Sequence, residues 1–300
     1  MNQRVTGALL AFSLLSAAGC DKPLSPVEVI DGTRILAAKV EVAGDPTRAS
    51  PEPGEDASVR FLVVAPDPAA TFAYRFDACV AADSSSDLAR CGGAALGTAV
   101  SVEPVAEPPS VTFTAPGDAS SGTRLAVIGG ACAAGVALGD ETGASCADGS
   151  KPYAATDDFF MDDGTSPNTN PALTDVGLND VVLDPATATL TDCSVLPNVA
   201  VGSGPRTLAV NLDPASRDPL VQVAASDPAR ESLLISYFIT QGDLDHAFSD
   251  IDADATDLRG SVSWTPPSNA DGPTLARFIV VVRDGRGGSD FTERRLCVVP

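Results

Sequence analysis

Closely spaced carboxylates are the residues of this sequence best placed to do chemistry. Asp250, Asp252 and Asp254 alternate as Asp-Ile-Asp-Ala-Asp, the spacing with which an EF-hand calcium loop begins. Calcium takes about six to eight oxygens, and such a loop adds a glycine at its sixth position and a bidentate glutamate at its twelfth. Here those positions hold Ala255 and Ser261, so the segment is not an EF-hand. Calcium at a domain end or joint is nevertheless the sharpest chemical expectation. One set of ligands would be Asp250, Asp252, Asp254, Asp227 and Asp284, and a second Asp157, Asp158, Asp162 and Asp163. The plainer alternative is a series of acidic, solvated loops. No other cofactor is expected.

Catalysis finds little support. There is no Gly-x-Ser-x-Gly nucleophile elbow. The single histidine, His246, lies in Gly242-Asp243-Leu244-Asp245-His246, which reads as an exposed loop without an acid–base partner. Gly285, Gly287 and Gly288 follow one strand pattern and precede another, so no helix N-terminus is there to hold a phosphate. Trp264, Tyr237 and Phe278 sit in strand patterns and read as core. One tryptophan in 300 residues is few for a carbohydrate cleft. The chain is therefore read as not an enzyme. A secreted hydrolase, which would need two of the many carboxylates to converge in a cleft, is the weakest reading.

The elements that must position these residues begin with an address. Met1-Asn2-Gln3-Arg4 precedes an apolar run from Val5 to Ala18, then Gly19-Cys20. A basic start, a short hydrophobic stretch and small residues before a cut make a secretory signal. The run is about fourteen residues, where a membrane span needs roughly twenty. Ala17-Ala18-Gly19-Cys20 resembles the lipobox of bacterial lipoproteins, although Ala17 stands where leucine is commoner. The resemblance implies cleavage before Cys20 and a diacylglycerol thioether on its sulfur. Each buried acyl CH₂ contributes about 0.8 kcal/mol, so two or three chains hold a protein on a bilayer. The lipid on Cys20 is the only membrane contact expected. Asp21 resembles a retention signal whose rule varies between lineages, so the outer or inner membrane, facing periplasm or exterior, is left open.

Seven cysteines occur, and Cys20 taking the lipid leaves six: Cys79, Cys91, Cys132, Cys146, Cys193 and Cys297. In an oxidising compartment six suggest three disulfides, with about fifteen pairings open. Proximity favours Cys79–Cys91, Cys132–Cys146 and a long Cys193–Cys297. Zinc is disfavoured, because no Cys-x-x-Cys pair exists beside the lone histidine. The net charge of −21 becomes −22 once residues 1–19, with Arg4 as their only charge, are removed. That excludes nucleic acid as a general partner, since phosphate binding runs on Lys and Arg.

The pattern after the anchor is β almost throughout. Residues 20–33, with Pro23, Pro26 and Gly32, read as lipid anchor and tether. Short runs rich in Val, Ile, Phe and Thr follow, at Ile35–Val42, Ser58–Val64, Phe72–Val80, Val111–Thr114 and Arg124–Ile128. The last hundred residues offer Thr207–Leu212, Leu220–Ala225, Leu233–Thr240, Gly260–Trp264, Ala276–Arg283 and Phe291–Val299, with one short strand between Asp243 and Leu258. Phe278-Ile279-Val280-Val281-Val282 is apolar on both faces, which is read as a central strand. Asp284 to Gly288 supplies the turn into the last strand. The irregular stretch 133–192 is assigned to the first domain, with Asp180–Asp184 as one candidate strand.

Val223 to Pro228, Ser263-Trp264-Thr265-Pro266-Pro267 and Phe278 to Ser289 together resemble the Ig-like and cadherin-like modules of bacterial surface proteins. The resemblance covers roughly residues 195–300. The whole layout resembles lipoproteins common in myxobacterial-type genomes. It implies an all-β chain of two Ig-like β-sandwich domains after a cleaved lipoprotein signal peptide and short tether. The divisions are 1–19 signal peptide, 20–33 anchor and tether, 34–190 first sandwich, and 191–300 second sandwich, Ig-like or cadherin-like. The expected function is a lipid-anchored cell-envelope protein with non-catalytic domains that bind or adhere to a surface protein or glycan. The alternative is a structural spacer or envelope-assembly component with no ligand of its own.

Overall fold

The computed structural model describes residues 26–82, 89–120, 122–133, 135–137, 145–162, 167–186, 193–216 and 231–300. The expected signal peptide, Cys20, Asp163, Asp227 and the expected strand Leu220–Ala225 lie outside them. Among the described residues the chain is all-β, with one short 3₁₀ turn at Pro214–Ser216 and no α-helix. No helix there is long and apolar enough to cross a membrane.

The first sandwich is built from β1 (Arg34–Val42), β2 (Asp56–Val64), β3 (Phe72–Val80), β4 (Gly97–Val105), β5 (Ser110–Thr114), β6 (Arg124–Cys132), β7 (Val136–Ala137), β8 (Ser145–Cys146) and β9 (Tyr153–Phe160). One sheet has the order β1-β2-β5 and the other β4-β3-β6-β9, while β7 and β8 pair as a separate ribbon. Strands with one buried face alternate apolar and polar residues, and β2 does so through Ala57, Val59 and Phe61. These meet Phe76, Val127 and Phe159 of the facing sheet, with the Phe61 and Phe76 rings stacked at 4.0 Å.

The second sandwich contains β10 (Leu173–Leu178), β11 (Val181–Val182), β12 (Asn198–Ala200), β13 (Arg206–Leu212), β14 (Leu233–Ile239), β15 (Asp243–Leu244), β16 (Phe248–Ile251), β17 (Arg259–Thr265), β18 (Thr274–Arg283) and β19 (Ser289–Val299). Its sheets have the orders β11-β10-β13-β17-β15 and β12-β19-β18-β14-β16. Trp264 meets Phe278 edge-on at 5.0 Å in the core, and its indole N–H donates to the Gln241 carbonyl at 2.9 Å. The aromatic trio Trp264, Tyr237 and Phe278 is core, as the strand pattern indicated.

Two expectations about organisation are corrected. The first sandwich was taken to run to residue 190, but β10 pairs onto β13, with β11 on its other edge, and buries Val176 and Leu178 in the second core. The chain therefore crosses between sandwiches near residue 170. The segment Asp180–Asp184, assigned to the first domain, supplies β11 to the second. The reason is pairing: Val176 lies opposite Val210, which registers this segment on the β13 side of the joint.

All six described cysteines are paired, as Cys79–Cys91, Cys132–Cys146 and Cys193–Cys297. This is the arrangement that proximity favoured. The first two bridges cover the outer face of the four-stranded sheet, where Cys79 packs with Ala89 and Ala126, and Cys132 and Cys146 with Ala73.

Candidate functional site

Charged and polar side chains converge most densely where the two sandwiches meet. The face of β18 turned away from its own core presents Arg277, Ile279, Val281 and Arg283, alternating with the core residues Phe278, Val280 and Val282. Ile279 and Val281 are fully buried all the same, because the outer face of β1 and β2 lies across them. Ile279 packs with Ile30 and Val64, flanked by Leu36, Leu62 and Phe238. Arg60 stacks over the Phe291 ring at 5.0 Å.

Hydrogen bonds fix the register of this seam. The Ser289 hydroxyl donates to the Ala38 carbonyl at 2.5 Å, and the Ser289 N–H donates to Asn170 Oδ1 at 3.0 Å. Lys39 Nζ reaches Asp290 Oδ1 at 3.0 Å, while Asp290 Oδ2 accepts the Leu173 N–H at 3.0 Å. Arg283 donates to the Leu36 carbonyl and Arg277 to the Ala65 carbonyl. Arg277 also forms a two-pronged pair with Glu293, at 2.9 and 2.8 Å. Burial alone would raise the Glu293 carboxyl, but the hydrogen bonds and charges of Arg277 and Arg295 outweigh it and hold the pKa low.

The turn between β18 and β19 is shaped to fit. Asp284 Oδ1 accepts the N–H groups of Arg286 (2.6 Å) and Gly288 (2.9 Å), and its Oδ2 accepts the Asn168 side-chain amide at 2.9 Å. Burial pushes the Asp284 carboxyl up against these donors. Gly287, at φ 104°, leaves no room for a side chain, since an added Cβ would lie 2.8 Å from Cβ of Phe159 on β9.

Asp157 is the most perturbed carboxyl of this region. It lies on the inward face of β9, at the edge where the first sandwich opens toward Arg283. Burial pushes its pKa to about 6, and the negative charges of Asp158 and Asp284 add to the rise; the Asp158 N–H and the Arg283 guanidinium oppose it. The folded protein therefore keeps a proton that the unfolded chain releases near pH 4. Stability from this group is full below about pH 4 and is lost as pH rises through about 6. After discounting for partial exposure the loss is about 1–3 kcal/mol. Asp157→Asn is expected to melt at the same temperature as the parent at pH 4 and several degrees higher at pH 7.5. Parallel melting curves at both pH values would refute this.

Calcium fares less well as a reading of the same residues. Among the described residues no group of three or more His, Cys, Asp or Glu side chains is placed to hold a metal ion. Asp157 and Asp158 are neighbours on a strand, so their side chains point to opposite faces, and Asp158 instead pairs with Arg124 at 2.6 Å. Asp162 is buried within 3.6 Å of Arg48. Asp284 shapes its turn. Asp250, Asp252 and Asp254 are spread along β16 and the exposed turn after it, where the Asp252 carbonyl accepts the Ala255 N–H at 3.0 Å. His246 is exposed and lies 2.9 Å from Asp245.

The sequence reading passed over Lys39, Asn168, Asn170, Arg283, Ser289 and Asp290, which carry the seam. The available signal was Asn168-Thr169-Asn170-Pro171 beside a strand apolar on both faces. Chemically the seam offers one carboxyl that titrates near pH 6 beside a guanidinium, bordered by hollows of about 220 and 230 Å³, below the usual size of a ligand site.

No family model matches this sequence, and no curated protein does. Among solved structures, the chain is similar to a Salmonella alpha-2-macroglobulin reacted with methylamine, at 14% identity and a TM-score of 0.23. That match covers 90% of this chain and 15% of the macroglobulin. CBD12 from CALX1.2 matches at 10% identity and TM-score 0.21, over 87% of this chain and 100% of that one. Dimeric latent PorU from Porphyromonas gingivalis matches at 12% identity and TM-score 0.22, over 88% of this chain and 24% of that one. At such low superposition no property of these proteins transfers to this chain.

Proposed function

We propose that this chain is a lipid-anchored cell-envelope protein whose two Ig-like sandwiches bind or adhere to a surface protein or glycan without catalysis. The observation that carries the reading is the cysteine pairing. Every cysteine after Cys20 is in a disulfide, which suits an oxidising compartment and leaves Cys20 alone for the lipid. Strand orders β1-β2-β5 and β4-β3-β6-β9 support the Ig-like assignment of the first sandwich. A hollow of about 750 Å³ bounded by Glu41, Pro46, Asp56, Leu96 and Phe113 is of the size that ligand sites occupy.

The anchor is tested by fractionation and mass. The N-terminal peptide of the membrane-bound protein is expected to begin at Cys20 and carry diacylglycerol. Cys20→Ala is expected to move nearly all of the protein to the soluble fraction, because two or three acyl chains supply the membrane affinity. A membrane-bound Cys20→Ala protein refutes the anchor. Binding is tested by retaining envelope components on the soluble form that starts after Cys20. Retention of none favours the spacer reading.

A further inference from the structure

The lipid would reach the fold at one end of the seam. The described chain starts at Pro26, and residues 27–30 form a strap beside β14. The Ile30 N–H donates to the Ile239 carbonyl at 2.7 Å, and the Ile239 N–H donates to the Glu28 carbonyl at 2.8 Å. Ile30 is buried against Val64 and Ile279, and Arg34 donates to the Val27 carbonyl at 2.5 Å. Thr240, Arg277 and the turn after Ala65 surround this end, since Arg277 bonds both Thr240 Oγ1 and the Ala65 carbonyl. From Arg277, β18 runs about 20 Å to Arg283, so the turn at Gly285–Gly288 marks the opposite end. β1, β2 and β5 place the Gly44–Gly54 and Pro116–Ala119 loops at that opposite end too, because Val42 pairs with Ala57 and Asp56 with Thr114.

Only five residues, 21–25, separate Cys20 from Pro26. Even fully extended, that length of chain spans roughly 20 Å, short of the roughly 30 Å along the strands that separates the Ala65–Ala70 turn from the Pro116–Ala119 loop. The mature chain is also strongly acidic, and such a surface is repelled by anionic headgroups and does not lie flat on them. From these observations we propose that the strap end of the seam, with its Ala65–Ala70 turn, faces the lipid surface. The Gly285–Gly288 end, with the hollow near Glu41 and Asp56, then faces outward and is the surface offered to partners. This rests on the lipid anchor proposed above.

The test uses the full-length lipidated protein in vesicles of phosphatidylethanolamine and phosphatidylglycerol containing an acceptor-labelled lipid. An azide-bearing amino acid at Ala69 or at Asp118, both exposed, carries the donor dye and leaves the disulfides untouched. These sites lie about 30 Å apart along the strands. Energy transfer from position 69 is expected to be at least about twofold that from position 118, and a Gly-Ser insertion of about twenty residues after Lys22 is expected to remove the difference. Equal or reversed transfer in the lipidated protein overturns the orientation, as does a difference that survives the insertion. An N-terminal peptide without lipid overturns the anchor itself, and the two failures are told apart by its mass.

Discussion

Replacing Cys193 and Cys297 together with alanine is expected to destabilise the second sandwich by about 4–5 kcal/mol, the largest effect of any disulfide change in this chain. The bond closes a loop with a sequence separation of 104, and in the chain-entropy model a loop of about a hundred residues is worth nearly 5 kcal/mol. It also holds β12, a strand of three residues at the sheet edge that pairs parallel to β19 with Asn198 opposite Cys297. The Cys297 N–H donates to the Pro197 carbonyl at 2.8 Å, so the bond and the pairing reinforce one another. Alanine is the better replacement because Cys297 is fully buried, and serine would bring a hydroxyl with no assured partner. Trp264, the one tryptophan of the chain, reports from this core. Its fluorescence during heating should show a midpoint lower by on the order of 20 °C. Loss of Cys79–Cys91 or Cys132–Cys146, which span 12 and 14 residues, should cost about 3 kcal/mol and leave the Trp264 transition nearly unmoved. An unchanged midpoint in the Cys193–Cys297 variant would refute the argument.

The all-β class was legible because alternation survives in the sequence. Ala57, Val59 and Phe61 in β2, and Leu233, Ile235 and Tyr237 in β14, each recur at every second position and each set fills a core. Several strands escaped, β4 and β9 the longest of them. In β4, Thr98, Val100 and Val102 face out while Ala99 and Ser101 face in, so the more apolar residues are on the wrong side for a pattern search. In β9 the cluster Asp157-Asp158-Phe159-Phe160 looked like an acidic loop, yet it alternates inward Asp157 and Phe159 with outward Asp158 and Phe160. A carboxylate on the inward face is what hid the strand, and it is the same carboxylate that burial pushes to about 6.

The site was illegible for a related reason. A strand in the middle of a sheet still has one face in the core and one outside, so centrality alone does not make both faces apolar. Continuous apolar strands mean that a second layer covers the outer face. Phe278 to Val282 met that condition, and the second layer is the other sandwich. Nothing local to β18 named its partner, because Ile30, Leu36, Leu62 and Val64 lie more than two hundred positions earlier. Carboxylate spacing drew attention to metal ligands, whereas at Asp284 and Asp162 the carboxylates hold turns and arginines in place.

If the seam is what joins the sandwiches, then Ile279→Asp should part them without unfolding either one. Ile279 points away from its own core and is buried only by Ile30, Val64 and their neighbours. Truncating a buried isoleucine costs about 2–5 kcal/mol, and an ionised carboxylate in the same place costs several more. The protein has a cheaper alternative to unfolding, which is to open the seam and let water reach the aspartate. The penalty is thus capped by the docking free energy, and the Trp264 core, built from the opposite face of β18, stays intact. Scattering should show a larger radius of gyration, and hydrogen exchange should rise at Ser289, whose N–H bonds Asn170 Oδ1 at the seam. Opening also releases Asp157 from burial and from Asp284, returning its carboxyl toward the ordinary range near 4. The loss of stability between pH 4 and pH 6 expected of the parent should then vanish in Ile279→Asp, whereas Ile279→Val, costing about 1 kcal/mol, should keep it. A compact Ile279→Asp protein that retains the parent's pH dependence would mean that Asp157 is buried by the first sandwich alone and that the seam does not govern its proton.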